Sequence, residues 1–135
     1  REGIKKLNLS DQVKLNGKIN GNLKQKLLKK SDLFIMPSYK VRNSIEGFGI
    51  SYIEAAAHRI PSIAGLDGGV TDAVIDSKTG WCVDPLNQEQ LANVLKEAIN
   101  NKNQRQKYGF QAEKKFLKDF LGEKTFRKFM DAVSI

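Results

Sequence analysis

The sequence is short of the residue types that build metal centres and disulfides: it has one cysteine and one histidine in 135 residues. Cys82 has no partner for an internal disulfide, which fits a reducing compartment. With His58 as the only histidine, a transition-metal site assembled from several His and Cys ligands is excluded. Long apolar runs are missing too. None approaches the roughly 20 residues that a bilayer span needs, and the opening "REGIKKLNLS" lacks the apolar core of a signal peptide. These absences point to a soluble chain in which a transition-metal site of several His and Cys ligands is not expected.

What is present is enough for one globular core. At 135 residues and 40% hydrophobic, one domain is expected, short for an enzyme that needs two substrate-binding halves. Acidic residues are the minority charge, 15 against 23 Lys and Arg, giving a formal charge of +8. Lys24, Lys26, Lys29 and Lys30 cluster in one segment, and Lys102, Arg105, Lys107, Lys114, Lys115 and Lys118 in another. Such runs read either as solvated helix faces or as attraction to an anion: a nucleoside diphosphate, a membrane surface or nucleic acid.

Hydrophobic periodicity alternates between strand and helix. "QVKLNG" (12–17) reads as a short strand ending in glycine. "GNLKQKLLKKSD" (21–32), with leucines at 23, 27 and 28, reads as an amphipathic helix. "LFIMPS" is a continuous apolar run stopped by Pro37, which suits a strand buried on both faces. Residues 50–58 read as a helix, "SIAG" and "GWCV" as strands, and Asn87 as the cap of a helix over about 88–101 with Leu91, Val94, Leu95 and Ala98 on its apolar face. Helices are expected near 103–119 and 123–133, with Phe116, Phe120, Phe126, Phe129 and Met130 as buried stripes. Strands separated by helices predict a parallel sheet covered on both faces.

In such sheets ligands bind outside the carboxyl ends of the strands. The loops that fall there are "NGKING", "PSYKVRNSIEGFG" and "GLDGGVTD". The turn Gly47-Phe48-Gly49 opens a helix whose first N–H groups and positive dipole end suit a diphosphate. Glu54 shares a helical face with Ile50, Ile53 and Ala57, so its carboxylate needs a partner. At about 1.5 Å per residue it lies about 6–8 Å beyond Gly49 and Ile50, within range of ribose hydroxyls on a nucleotide held there. Glu46, across the turn, would face the group beyond the phosphates. The alternative is that Glu46 is an exposed loop residue and Glu54 pairs with a nearby Lys or Arg.

The two glutamates also resemble the E-x7-E motif of the retaining GT-B glycosyltransferases, particularly family 4. "VKLNGKI", "SDLFIMPS", "EGFGISYIEAAAHRIPSIAG", "GGVTDAV", "TGWCVDP" and "LANVLKEAI" follow in that family's order and at its spacings. The resemblance implies a Rossmann-like parallel sheet flanked by helices, part of the C-terminal, donor-binding domain of a GT-B fold. It implies that 1–135 is that domain, truncated at its N-terminus, with the acceptor domain of the same protein absent. Glu46 then contacts the donor sugar and carries the catalytic role. The backbone from Gly47 through Phe48 and Gly49 to Ile50 contacts sugar and phosphates, and Glu54 the ribose. Ile19 lies beside the base, with Lys24 near it in some relatives. The donor is a nucleoside diphosphate sugar acting as substrate, GDP-mannose or a UDP-sugar, with no cofactor. The acceptor is a glycan or a lipid-linked molecule in glycan or glycolipid synthesis, which places the protein in the cytoplasm or at the inner face of the membrane, with peripheral membrane contact.

Departures from the family sharpen the expectations. The loop between Ser38 and Glu46 is longer than the common form, as in phosphatidylinositol mannosyltransferases, which favours GDP-mannose. Arg59 stands where glycine is usual and is expected to take a left-handed, helix-ending conformation. Thr71-Asp72 replaces a common proline-glutamate pair. No Asp-x-Asp pair is present to hold a metal on the diphosphate, so cationic side chains and helix N-termini are expected to stabilise the leaving group. His58 is expected to pack or cap, Ser38 to be a turn hydroxyl, and Trp81 and Phe110 to be core. The other class of function weighed is a basic nucleic-acid- or membrane-surface-binding module without catalysis; nucleic acid is not an expected partner, since no module signature accompanies the lysines.

Overall fold

The structure is a computed structural model and describes residues 1–39, 49–66, 69–120 and 131. In chain order the elements are α1 (Glu2–Lys6), α2 (Gly21–Lys29), β1 (Phe34–Met36), α3 (Ile50–Ala57), β2 (Ser62–Ala64), α4 (Val70–Ala73), β3 (Gly80–Cys82), α5 (Gln88–Asn100) and α6 (Lys102–Phe120). Of the expected helix at 123–133 only Asp131 is among the described residues, and it is helical.

The strands pair in parallel in the order β1-β2-β3, with Ile35 opposite Ile63 and Ile63 opposite Trp81. Side chains alternate across a strand, and the two faces are covered by different helices. On one face Ala64 packs with Tyr52 of α3 and Val70 and Val74 around α4, joined by Phe34, Met36 and Cys82. On the other, Ile63, Trp81 and Val83 meet Ala98, Leu91, Val94 and Leu95 of α5 and Tyr108 of α6. This is the doubly covered parallel sheet that alternating strands and helices predict.

Local chemistry places the helix ends as expected. Asn87 caps α5 by accepting from the Gln90 N–H at 3.0 Å, and Asn20 caps α2 by accepting from Leu23 at 2.9 Å. At its C-terminus α3 closes in a Schellman pair: Ile60 N–H donates to Ala55 and Arg59 N–H to Ala56, both at 3.0 Å. That motif needs a left-handed residue, and Arg59 supplies it at φ 58.

Two strand expectations are corrected. Residues 12–17 pair with no strand among the described residues, and Val13 and Leu15 are exposed. A strand is held by its ladder, so apolar alternation alone does not make one. "LFIMPS" is not buried on both faces: among the described residues β1 is an edge strand, and Ile35 is 46% exposed. The helices that cover Ile63 stop short of Ile35. Phe110 is corrected as well, since it lies half-exposed under the Arg59 guanidinium and the Lys114 ammonium, each 5.6 Å from its ring centroid. Trp81 and Phe116 are core as expected.

Candidate functional site

Parallel strands joined by returning helices gather the starts of α2 and α3 at one edge of the sheet, where the strands end. Each helix runs back toward the start of the strand that follows it, so the N-termini point to the carboxyl edge. The loops after β1 and β2 meet there in close contact. A Cβ on Gly65 would stand 2.0 Å from the Ser38 carbonyl oxygen, so only glycine lets the two loops approach.

Gly49 opens α3 in the left-handed region, at φ 57 and ψ 44, and offers its first turn no side-chain cap and no acidic residue. The Tyr52 and Ile53 N–H groups donate to the Gly49 carbonyl at 2.9 and 3.3 Å, which leaves those of Ile50 and Ser51 without an acceptor in the helix itself. A Cβ on Gly49 would stand 2.7 Å from the Tyr52 ring. Tyr52 is buried, donates its hydroxyl proton to the Met36 carbonyl and sets its ring edge-on to Phe34 at 5.8 Å. It ties the Gly49 turn to the end of β1. Sequence reasoning passed over Tyr52; its place three residues after a turn glycine, inside an apolar run, is the signal that marks it.

Glu54 lies one turn further along α3 and pairs with Lys24 of α2, Nζ to Oε1 at 2.8 Å, the carboxylate side chain 16% exposed and the lysine 45%. The pairing foreseen as the alternative for Glu54 is thus present, and its partner is itself an expected site residue. One turn beyond, His58 Nε2 meets Gln25 Oε1 at 2.7 Å. Burial holds the His58 imidazole below its ordinary pKa, as does Lys29, while Glu54 acts in the opposite sense. Ile19 is half-buried just ahead of the Asn20 cap, on the same edge.

Ile50 departs from the expected packed face: it is 70% exposed at the mouth of the turn. The first residue of a helix has no preceding turn to lean on, so its position on the face does not bury it. Glu46, Gly47 and Phe48 lie outside the described residues. Asp72 is exposed in the first turn of α4, whose start at Gly69 carries no side-chain cap. Cys82 is half-buried with its Sγ 3.6 Å from the Val74 carbonyl, and burial followed by Asp76 pushes its thiol up to about 11. It is a weak nucleophile at neutral pH.

Away from this edge, the α4–β3 turn and α6 enclose a cleft of about 430 Å³ lined by Lys78, Thr79, Gln111, Lys114, Lys115 and Lys118, among others. Its acidic member, Asp119, is paired with Lys115. Among the described residues, no group of three His, Cys, Asp or Glu side chains is placed to hold a metal ion, and no helix is long and apolar enough to cross a membrane.

The comparisons agree with this architecture. Over 75 residues the chain is 39% identical to a probable sucrose-phosphate synthase 2 of Craterostigma plantagineum, a match covering 56% of this chain and 6% of that protein. Over 72 residues it is 35% identical to a GDP-mannose-dependent alpha-(1-6)-phosphatidylinositol monomannoside mannosyltransferase of Mycolicibacterium smegmatis, covering 51% of this chain and 19% of the other. An Anabaena protein solved in complex with UDP and glucose superposes with a TM-score of 0.76 at 22% identity, over 98% of this chain and 35% of its own. The chain therefore spans a minor part of each of these proteins. The family model for glycosyl transferases group 1 matches residues 1–115, and the chain belongs to that family.

Proposed function

We propose that this chain forms the donor-binding part of a retaining glycosyltransferase that moves a sugar from a nucleoside diphosphate sugar to a glycan or lipid-linked acceptor. The observation that carries the reading is the α3 N-terminus. A first turn that receives no side-chain cap from its left-handed glycine lies one turn from a carboxylate that, among the described residues, is paired with Lys24. The turn suits a diphosphate, and Glu54 suits two vicinal ribose hydroxyls, since a carboxylate accepts from both at once. Lys24 neutralises Glu54 when no nucleotide is bound, and lies close enough to share the carboxylate with the ribose.

The donor is GDP-mannose or a UDP-sugar. The mycobacterial relative, GDP-mannose-dependent by name, and the long loop before Glu46 favour the first; the Anabaena neighbour, with UDP bound, favours the second. Glu46 orients the sugar. The remainder of the protein supplies the acceptor site and further phosphate cations. The basic cleft gives that protein a contact for anionic headgroups at the cytoplasmic face of a membrane. A module without catalysis has less support, because it leaves the ordered family motifs without a purpose.

Calorimetry on the full-length protein tests this reading. Glu54→Ala should weaken binding of the preferred donor by about 10–100-fold, from the loss of charge-assisted hydrogen bonds contributing about 1.5–3 kcal/mol. Glu46→Ala should lower turnover more than affinity, since sugar orientation matters most as the bond breaks. Unchanged affinity and turnover in both variants, with GDP-mannose and with UDP-glucose, would make the glutamates structural and end the proposal.

A further inference from the structure

α2 carries Lys24 and follows directly on Ile19, two of the residues assigned to the donor, and among the described residues its buried apolar side chain is Leu28. Leu28 packs with Ala55, Ile60 and Phe34, while Leu23, near the N-terminus, is largely exposed. Leu28 and the half-buried Leu27 both lie in the C-terminal half of a nine-residue helix, so the orientation of the end nearer Lys24 depends on polar links.

Polar links span the gap between α2 and α3, and two of them are not equivalent. Lys24–Glu54 joins a half-exposed ammonium to a mostly buried carboxylate, and its lysine end is open to water and to exchange. Gln25–His58 is different in kind. Gln25 is 8% exposed, so its amide loses most of its hydration and incurs a cost if the imidazole is withdrawn. The links are also in register: Lys24 and Gln25 are neighbours on α2, while Glu54 and His58 are one turn apart on α3. Fixing Gln25 on His58 therefore fixes the direction in which the adjacent Lys24 leaves the helix.

We infer that Gln25 and His58 are positioning residues for the donor: their partly buried hydrogen bond sets the rotation of α2 and thereby holds Lys24 and Ile19 beside Glu54 where the nucleoside binds. The inference rests on the donor-site reading above. With Gln25 presenting Oε1, the imidazole donates from Nε2–H, the neutral tautomer that its surroundings favour. The charged groups facing it are Lys29 from α2 and Glu54 from its own helix.

The test measures UDP and GDP affinity, donor KM, kcat and thermal midpoint on the full-length protein. Gln25→Met keeps the volume and removes the acceptor; His58→Gln keeps a donor at similar reach. Gln25→Met should weaken nucleotide affinity and raise donor KM by about 3–10-fold with kcat at saturating donor within twofold. His58→Gln should stay within about twofold of the parent throughout. The loss should also shrink in a Glu54→Gln background, because both changes then act on one disrupted contact. If Gln25→Met fails to fold, His58→Ala breaks the same link from the more exposed side and carries the same expectation. A fall in kcat and thermal midpoint with KM unchanged would make the pair merely structural and overturn the inference, as would full additivity with Glu54→Gln. Should Glu54→Gln itself leave affinity untouched, the donor-site reading fails, and a KM effect of Gln25→Met would then have no site to act on.

Discussion

Arg59 shows how much a single backbone conformation decides. It occupies the left-handed region at φ 58, which costs a residue with a Cβ roughly 1–2 kcal/mol relative to glycine. Its side chain offsets part of that cost by pairing with Glu113 and by lying over Phe110. The ion pair is largely exposed on the arginine side and the cation–π contact is at the surface, so together they contribute about 1 kcal/mol. Arg59→Gly should therefore change stability by less than about 1 kcal/mol, in the stabilising direction if the strain outweighs the contacts, whereas Arg59→Ala keeps the strain, loses the contacts and should cost about 1 kcal/mol. Denaturant melts of the two variants decide it, and an alanine variant as stable as the glycine one would refute the strain account. The left-handed residue was legible from sequence, because the family pattern has glycine at that place. Phe110 was not, since an aromatic in an amphipathic helix reads as core until one knows that two cations need its face.

Elements dock closely here only where glycine permits it. Gly109 lies inside α6, where glycine costs about 1 kcal/mol relative to alanine, and a Cβ there would stand 2.0 Å from the Arg59 carbonyl oxygen and 3.3 Å from Pro61. Gly21 begins α2 with nothing within 4 Å of its added Cβ. Gly109→Ala should destabilise by about 1–3 kcal/mol, as overpacking outweighs the gain in helix propensity. Gly21→Ala should stabilise by up to about 1 kcal/mol. Equal effects of the same sign in thermal melts would show that propensity rather than contact governs both sites. Elements with a local cause were legible: Asn87 announced α5, and the leucine and alanine spacing announced α2 and α5. The failed strand at 12–17 had alternation without a ladder partner, which no local pattern can supply. The four-residue α4 was missed because "GGVTDAV" is too short to show a period. At the candidate site, the place of Glu54 on a helix was legible from periodicity, but its pairing with Lys24 depends on how α2 lies against α3.

For the whole molecule, charge and exposed apolar surface pull in opposite directions. The formal charge of +8 repels copies of the chain from one another, and the basic cleft beside α6 concentrates that field. Val13 and Leu15 stand exposed on the unpaired segment, lining with Ile4 a hollow of about 270 Å³, and Ile35 is exposed on β1, whose outer edge has no strand partner among the described residues. An open edge with an apolar face invites pairing between copies. Which tendency wins depends on ionic strength. At about 10 mM salt the Debye length is roughly 30 Å and the like charges keep copies apart; at about 1 M it is roughly 3 Å and the apolar edge dominates. The 135-residue chain should therefore sediment as a monomer at low salt and associate increasingly as salt is raised. Ile35→Lys should suppress that association by placing a charge on the exposed edge. Sedimentation velocity across a salt series, with the variant run alongside, reads both effects. A parent chain that stays monomeric at high salt and melts in one sharp two-state transition would show that the edge is covered and that the molecule has no unmet apolar surface there.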